Sequence, residues 1–213
     1  MLTLTEFCFI WRGKVWVKVI PIVFETPRVQ QDVSFVAWTT TPWTLPSNLA
    51  LCVNPEMEYV QVRDEASGRC YILMAARLAQ LYPGLNNPKK KADELKKFVE
   101  LKYFRGSALA GTKYKPPFEY FEDTRQTQGS FRVITGAFVT DTGGTGIVHC
   151  APAFGEDDYN ACIATGIIKK GEKLVCPIDA NGRFTEQVPE FEGQFVKDAD
   201  KKAHDGREKN IGT

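Results

Sequence analysis

Two short segments hold most of the residues that can do chemistry. The first is Thr39-Thr40-Thr41-Pro42-Trp43-Thr44, directly after the apolar run Val33 to Trp38. If that run is a strand, alternation puts Thr39 and Thr41 on the face opposite Thr40, and Pro42 holds Thr41 extended. Two hydroxyls then line one side of a strand end. Each can donate and accept, which suits gripping an amine or a ribose, but with no base beside them they are poor nucleophiles. β-Branched threonine is also an ordinary strand residue, so the spacing leaves simple packing open.

The second segment is Gly143-Gly144-Thr145-Gly146-Ile147-Val148-His149-Cys150-Ala151-Pro152, continued by Phe154-Gly155-Glu156-Asp157-Asp158-Tyr159. Glycines this dense let a backbone approach a ligand, which makes Gly144, Thr145 and Gly146 candidates for substrate contact. The run is no nucleotide loop: it lacks the terminal Gly-Lys-Ser/Thr of a phosphate loop. His149 stands where a dinucleotide fingerprint needs its third glycine, and a strand follows where a helix should. His149 and Cys150 cannot work as a dyad, because strand neighbours point to opposite faces. The other histidine of the chain, His204, lies in a polar C-terminal stretch. A helix expected over Glu156 to Ala164 puts Asp158 on one face with Ala161, Cys162 and Thr165 and turns Asp157 about 100° away. Asp158 thus points inward as a candidate amine-binding carboxylate. Asp157 reads as an ordinary partner of the helix dipole.

The elements that must position these residues are mostly strands. Lys14 to Phe24, Val33 to Trp38, Glu58 to Val62, Cys70 to Leu73, Phe131 to Ile134 and Ile147 to Cys150 are rich in β-branched and aromatic residues and are separated by Gly, Pro and Asn. Helical signals are fewer. Leu73 to Leu81 is a short Ala/Leu-rich segment, and Lys91 to Tyr103 sets Leu95, Phe98, Val99 and Lys102 at the offsets of one helix face. Lys89 to Lys91 reads as a solvated charge run. The 213 residues make one ordinary domain of α+β class, mostly β, with a few peripheral helices.

Composition excludes several functions. A net charge of +1 announces neither nucleic acid nor membrane, so any such partner is gripped by a local patch. No apolar run approaches the roughly 18 to 20 residues of a membrane span, and the opening Met1 to Ile20 is broken by Glu6, Arg12, Lys14 and Lys18. Six cysteines at 8, 52, 70, 150, 162 and 176 form no zinc-type pairs and read as reduced thiols of a cytosolic protein.

Taken together, W-T-T-T-P-W-T-L-P-S-N at 38–48 and G-T-G-I-V-H-C-A-P-A-F-G-E-D-D-Y at 144–159 resemble the editing domain of isoleucyl-tRNA synthetases. The resemblance extends from about Phe35 to about Asp200 and includes C-P-I-D-A-N-G-R-F-T-E at 176–186. Valyl and leucyl relatives carry Thr-Thr-Arg-Pro where this chain has Thr-Thr-Pro-Trp. Ala153-Phe154-Gly155, in place of the bacterial Gly-His-Gly, points to the eukaryotic cytosolic type. The resemblance implies a β-barrel-rich fold for 33–200, with 1–32 unassigned N-terminal strands and 201–213 a polar tail. It implies hydrolysis of valine wrongly attached to isoleucine tRNA, and extends to valyl-adenylate. The catalytic set would be Thr39, Thr40, Thr41, His149 and Asp158, with Trp43 and Thr44 in substrate contact. Trp43 would lie beside the side-chain pocket, His149 would limit its size and touch the terminal ribose, and Asp158 would bind the ammonium. The implied partners are the 3′ end of a valine-carrying isoleucine tRNA and the rest of the synthetase, with no membrane and a monomeric chain. No metal or cofactor is implied; ATP would serve the parent's synthetic core, whose His-Ile-Gly-His and Lys-Met-Ser-Lys-Ser signatures are missing here. A tRNA-end binding module with decayed activity is the alternative.

Overall fold

The computed structural model describes residues 8–11, 15–21 and 33–196, the first two segments as backbone only. Strand β3, Val33–Trp38, is apolar almost throughout because both its faces are covered. Val33, Phe35 and Ala37 enter one core cluster while Val36 enters another on the opposite side. Around it runs a six-stranded sheet in the order β1-β2-β3-β6-β5-β7. Its other members are β1 (Cys8–Trp11), β2 (Val15–Pro21), β5 (Glu58–Asp64), β6 (Cys70–Met74) and β7 (Phe98–Arg105). β3 pairs antiparallel with β2 and parallel with β6, Phe35 opposite Ile72. The described part of residues 1–32 therefore extends the same sheet.

A second sheet, β8-β4-β9, packs on the first through the larger core cluster. Its centre is β4 (Ala50–Val53), parallel to β8 (Arg132–Thr135) and antiparallel to β9 (Ile147–Cys150), with Leu51 opposite His149. Among the described residues the strands thus make two open sheets and no closed barrel. The edges β1 and β7 do not pair with each other, so the expected α+β, mostly-β class holds but without a closed barrel.

Strands Val33–Trp38 and Ile147–Cys150 and the helix Glu156–Ala164 lie where the sequence puts them. Two helical expectations do not hold. Of Lys91 to Tyr103 only Lys91–Glu94 makes an α-turn, followed by a 3-10 turn and then β7. The segment also holds an alternating set, Val99, Leu101 and Tyr103, and β5 offers β7 a partner over seven registered pairs. Phe98 is held by stacking on Tyr82, ring centroids 4.3 Å apart. Leu73 to Leu81 divides in the same way, its start completing β6 and Ala75–Gln80 forming a 3-10 turn. β4 was not anticipated: four residues, all buried, carry no alternation to read. Cys52, Cys70, Cys150, Cys162 and Cys176 form no disulfide among the described residues. The tail 201–213, with His204, lies outside the described residues.

Candidate functional site

Three elements meet where β3 ends. Past Trp38 the chain bends and enters a 3-10 turn, Pro42–Ser47, that carries Trp43 and Thr44. β9 supplies His149, and the helix Glu156–Ala164, the fourth α-helix among the described residues and here α4, supplies Asp158. Between them lies a cleft of about 300 Å³. Thr39, Thr40, Thr41, Trp43, Thr44, His149 and Asp158 all line it.

The threonines meet by a turn, not by strand alternation. The strand stops at Trp38, and Thr41 precedes Pro42 with φ −126° and ψ 68°, short of fully extended. Its backbone N–H donates to Thr39 Oγ1 at 3.0 Å, which brings the two hydroxyls within 3.4 Å. Thr39 is buried, whereas Thr40 and Thr41 are exposed to the cleft mouth.

His149 is buried, at 7% exposure, and both ring nitrogens are engaged. Nε2 lies 2.8 Å from Thr44 Oγ1 and Nδ1 lies 3.2 Å from the Asn48 amide nitrogen. Thr44 in turn donates to the Thr41 carbonyl at 2.9 Å. Neighbouring Cys150 points the other way, into the core, as strand geometry requires. A ring so occupied positions its neighbours and walls the cleft; it has no free nitrogen with which to abstract a proton.

Asp158 occupies the third position of α4 and turns into the cleft, while Asp157 is exposed. Its Oδ2 accepts the Ala151 N–H at 3.0 Å, tying the helix to the end of β9. Oδ1 has no hydrogen bond among the described residues. Burial raises the Asp158 carboxyl above its ordinary 3.8; the Ala151 N–H lowers it and the Asp157 charge raises it again. Gly155 makes room for this carboxylate, since a Cβ there would stand 2.8 Å from Asp158 Oδ2. The apolar wall is Trp43 against Phe154, edge to face with centroids 5.1 Å apart.

Gly144, Thr145 and Gly146 lie elsewhere. Gly146, at φ +73°, approaches Met74 so closely that a Cβ would fall 2.3 Å from Met74 Cβ. The Gly146 carbonyl accepts the Tyr59 hydroxyl, Gly144 packs on Trp38, and Thr145 is buried with its carbonyl bound to Met74 N–H. The close backbone approach inferred from the glycines is thus made to the protein's own core. Sequence reasoning also missed Asn48, Phe154 and Gly155 as parts of the site, although all three stand inside the segments it singled out. Tyr114, whose hydroxyl donates to Asn48 Oδ1 at 2.5 Å, lies in neither segment, and no motif signals it. Among the described residues no group of three or more His, Cys, Asp or Glu is placed to hold a metal ion.

Comparison with known proteins adds the kinship. No protein-family model matches the chain. Over 201 residues, 85% of the chain, it is 47% identical to the cytoplasmic isoleucine–tRNA ligase of Arabidopsis thaliana, and over 183 residues 50% identical to that of Mus musculus. With the Saccharomyces cerevisiae enzyme it shares 51% over 173 residues. By sequence the chain is a homologue of the isoleucine–tRNA ligases. It spans only 14–17% of the length of these three relatives. In fold it is similar to the crystal structure of GlLeuRS-CP1, a synthetase connective-peptide domain, with a TM-score of 0.61. That match covers 93% of this chain and 96% of the other at 15% identity. Among the described residues no helix is long and apolar enough to cross a membrane.

Proposed function

We propose that this chain is the hydrolytic editing domain of an isoleucine–tRNA ligase and removes valine wrongly esterified to isoleucine tRNA, with valyl-adenylate a second substrate. The observation that supports it most is the convergence of a carboxylate, a row of hydroxyls and an aromatic wall on one small cleft. An apolar pocket separates side chains that differ by one methylene by only about 1 to 3 kcal/mol, a rule for which isoleucyl-tRNA synthetase is itself the standard example. A second site that destroys the smaller product makes up the shortfall. Here Trp43 and His149 veto the larger side chain by size.

Asp158 Oδ1 pairs with the substrate ammonium, and the hydroxyls of Thr39 to Thr41 hold the terminal ribose. The ester carbonyl is thereby presented to a water. Attack forms the new C–O bond, the ester bond to the ribose oxygen breaks, and the proton given up by the water reaches that oxygen through the substrate's neighbouring hydroxyl. With both nitrogens of His149 engaged, positioning drives the step and no side chain serves as a strong base. The chemistry calls for no metal or cofactor; ATP belongs to the synthetic core of the parent enzyme. In this reading the domain is cytoplasmic and monomeric as an isolated chain, and meets the tRNA 3′ end in the company of the rest of the synthetase.

The test is release of valine from valine-charged isoleucine tRNA by the 213-residue chain, with isoleucine-charged tRNA spared. Binding of the charged tRNA without release would sink the hydrolytic reading and favour a tRNA-end binding module.

A further inference from the structure

Behind the cleft, a chain of hydrogen bonds runs from the core to the threonines, and its direction is determined at every step. Tyr114 is fully buried, and its hydroxyl faces Asn48 Oδ1, an oxygen that can only accept. The Asn48 amide nitrogen can only donate; it gives one proton to the Ala50 carbonyl at 2.9 Å and faces His149 Nδ1 with the other at 3.2 Å. His149 Nδ1 must therefore accept, and the neutral ring carries its proton on Nε2. That proton goes to Thr44 Oγ1, which passes its own to the Thr41 carbonyl. A flipped Asn48 would set its oxygen against the Ala50 carbonyl and leave its nitrogen against the phenol.

Tyr114 is well placed to hold this orientation. Its N–H donates to the Phe131 carbonyl at 3.0 Å, and its carbonyl accepts from Arg125 Nη2 at 3.1 Å. The ring packs edge to face on Phe131. Burial, reinforced by the thiols Cys150 and Cys162, pushes the phenol well above its usual value despite the Asn48 bond and Arg125, so it remains a donor.

We propose that Tyr114 is a positioning residue of the editing site: acting through Asn48, it imposes the Nε2–H tautomer on His149 and so fixes the wall of the pocket and the direction of the Thr44 hydroxyl. This rests on the editing function proposed above. Tyr114 touches no substrate.

The experiment reads the ring directly. With two histidines in the chain, the ¹⁵N resonances of His149 are assignable by comparison with His149→Ala. The wild-type chain should show an unprotonated Nδ1 and a protonated Nε2. Tyr114→Phe, which leaves Asn48 Oδ1 without its donor, should blur that signature into exchange between tautomers. It should also lower kcat/KM for Val-tRNA about tenfold and narrow the preference for valine over isoleucine. Tyr59→Phe is the control: Tyr59 is equally buried, and its hydroxyl donates to the Gly146 carbonyl at 2.7 Å and accepts from Asn54 N–H, neither of them a member of this chain of bonds. It should cost stability yet leave the ¹⁵N signature and selectivity intact. A wild-type His149 protonated on Nδ1, or a signature unmoved by Tyr114→Phe, overturns the proposal. A signature that responds in a chain that hydrolyses no Val-tRNA overturns the editing role alone and leaves Tyr114's control of the ring standing.

Discussion

Asp158 and Asp157 are neighbours in sequence and opposites in environment, one turned into the cleft and one exposed. Asp158→Ala should abolish deacylation while Asp157→Ala spares most of it; equal losses in a single-turnover assay would remove the amine-binding role. The raised carboxyl adds a pH signature. Favouring the neutral form, Asp158 contributes stability that is full below its ordinary 3.8 and lost as pH rises through the higher folded value. Catalysis runs the other way, since the ammonium needs the carboxylate. kcat/KM should fall with acidity through an inflection above 3.8, and Asp158→Asn should remove that limb. His149 tests the size veto. His149→Ala opens room for about one methylene, so the ratio of valine to isoleucine hydrolysis should collapse about 10- to 100-fold. If both substrates slow equally, the veto belongs to Trp43 and Phe154.

Elements explain where residue patterns mislead. The glycine run before β9 invites a ligand by its composition, but its tightest member, Gly146, is shaped by Met74 and a positive φ. Gly146→Ala should therefore destabilise the chain by about 2 kcal/mol or more in urea unfolding, through backbone strain and a clash. Gly143→Ala, with nothing within 4 Å of the new Cβ, should stay within about 0.5 kcal/mol. Strand β3, strand β9 and helix α4 were legible because each is a local pattern with a clear boundary. Strand β7 was not, because Leu95, Phe98 and Val99 fit a helical spacing while Val99, Leu101 and Tyr103 alternate as in a strand, and only β5 lying beside them decides between the two. Strand β4 was hidden for a different reason, its four buried residues having no polar face to alternate with.

At the scale of the whole molecule, the two sheets bring residues from positions 39 to 158 around one cleft, and nothing in that cleft resembles a phosphate cradle. Calorimetric titration of ATP into the chain should accordingly show no tight binding; a tight site would contradict the view that synthesis resides elsewhere in the parent enzyme. The amino-acid sequence by itself determined the kinds of groups available, the register that turns Asp158 away from Asp157, and the kinship carried by two motifs. These depend on residue type and on spacings of a few positions, which helix and strand periodicity convert directly into direction. Only the tertiary structure decided that the described strands form two open sheets, that Gly146 serves Met74 and Tyr59, and that Tyr114 reaches Asn48 behind His149. Those contacts join residues far apart along the chain, and burial in a shared core, where each polar atom must find a partner, selects them.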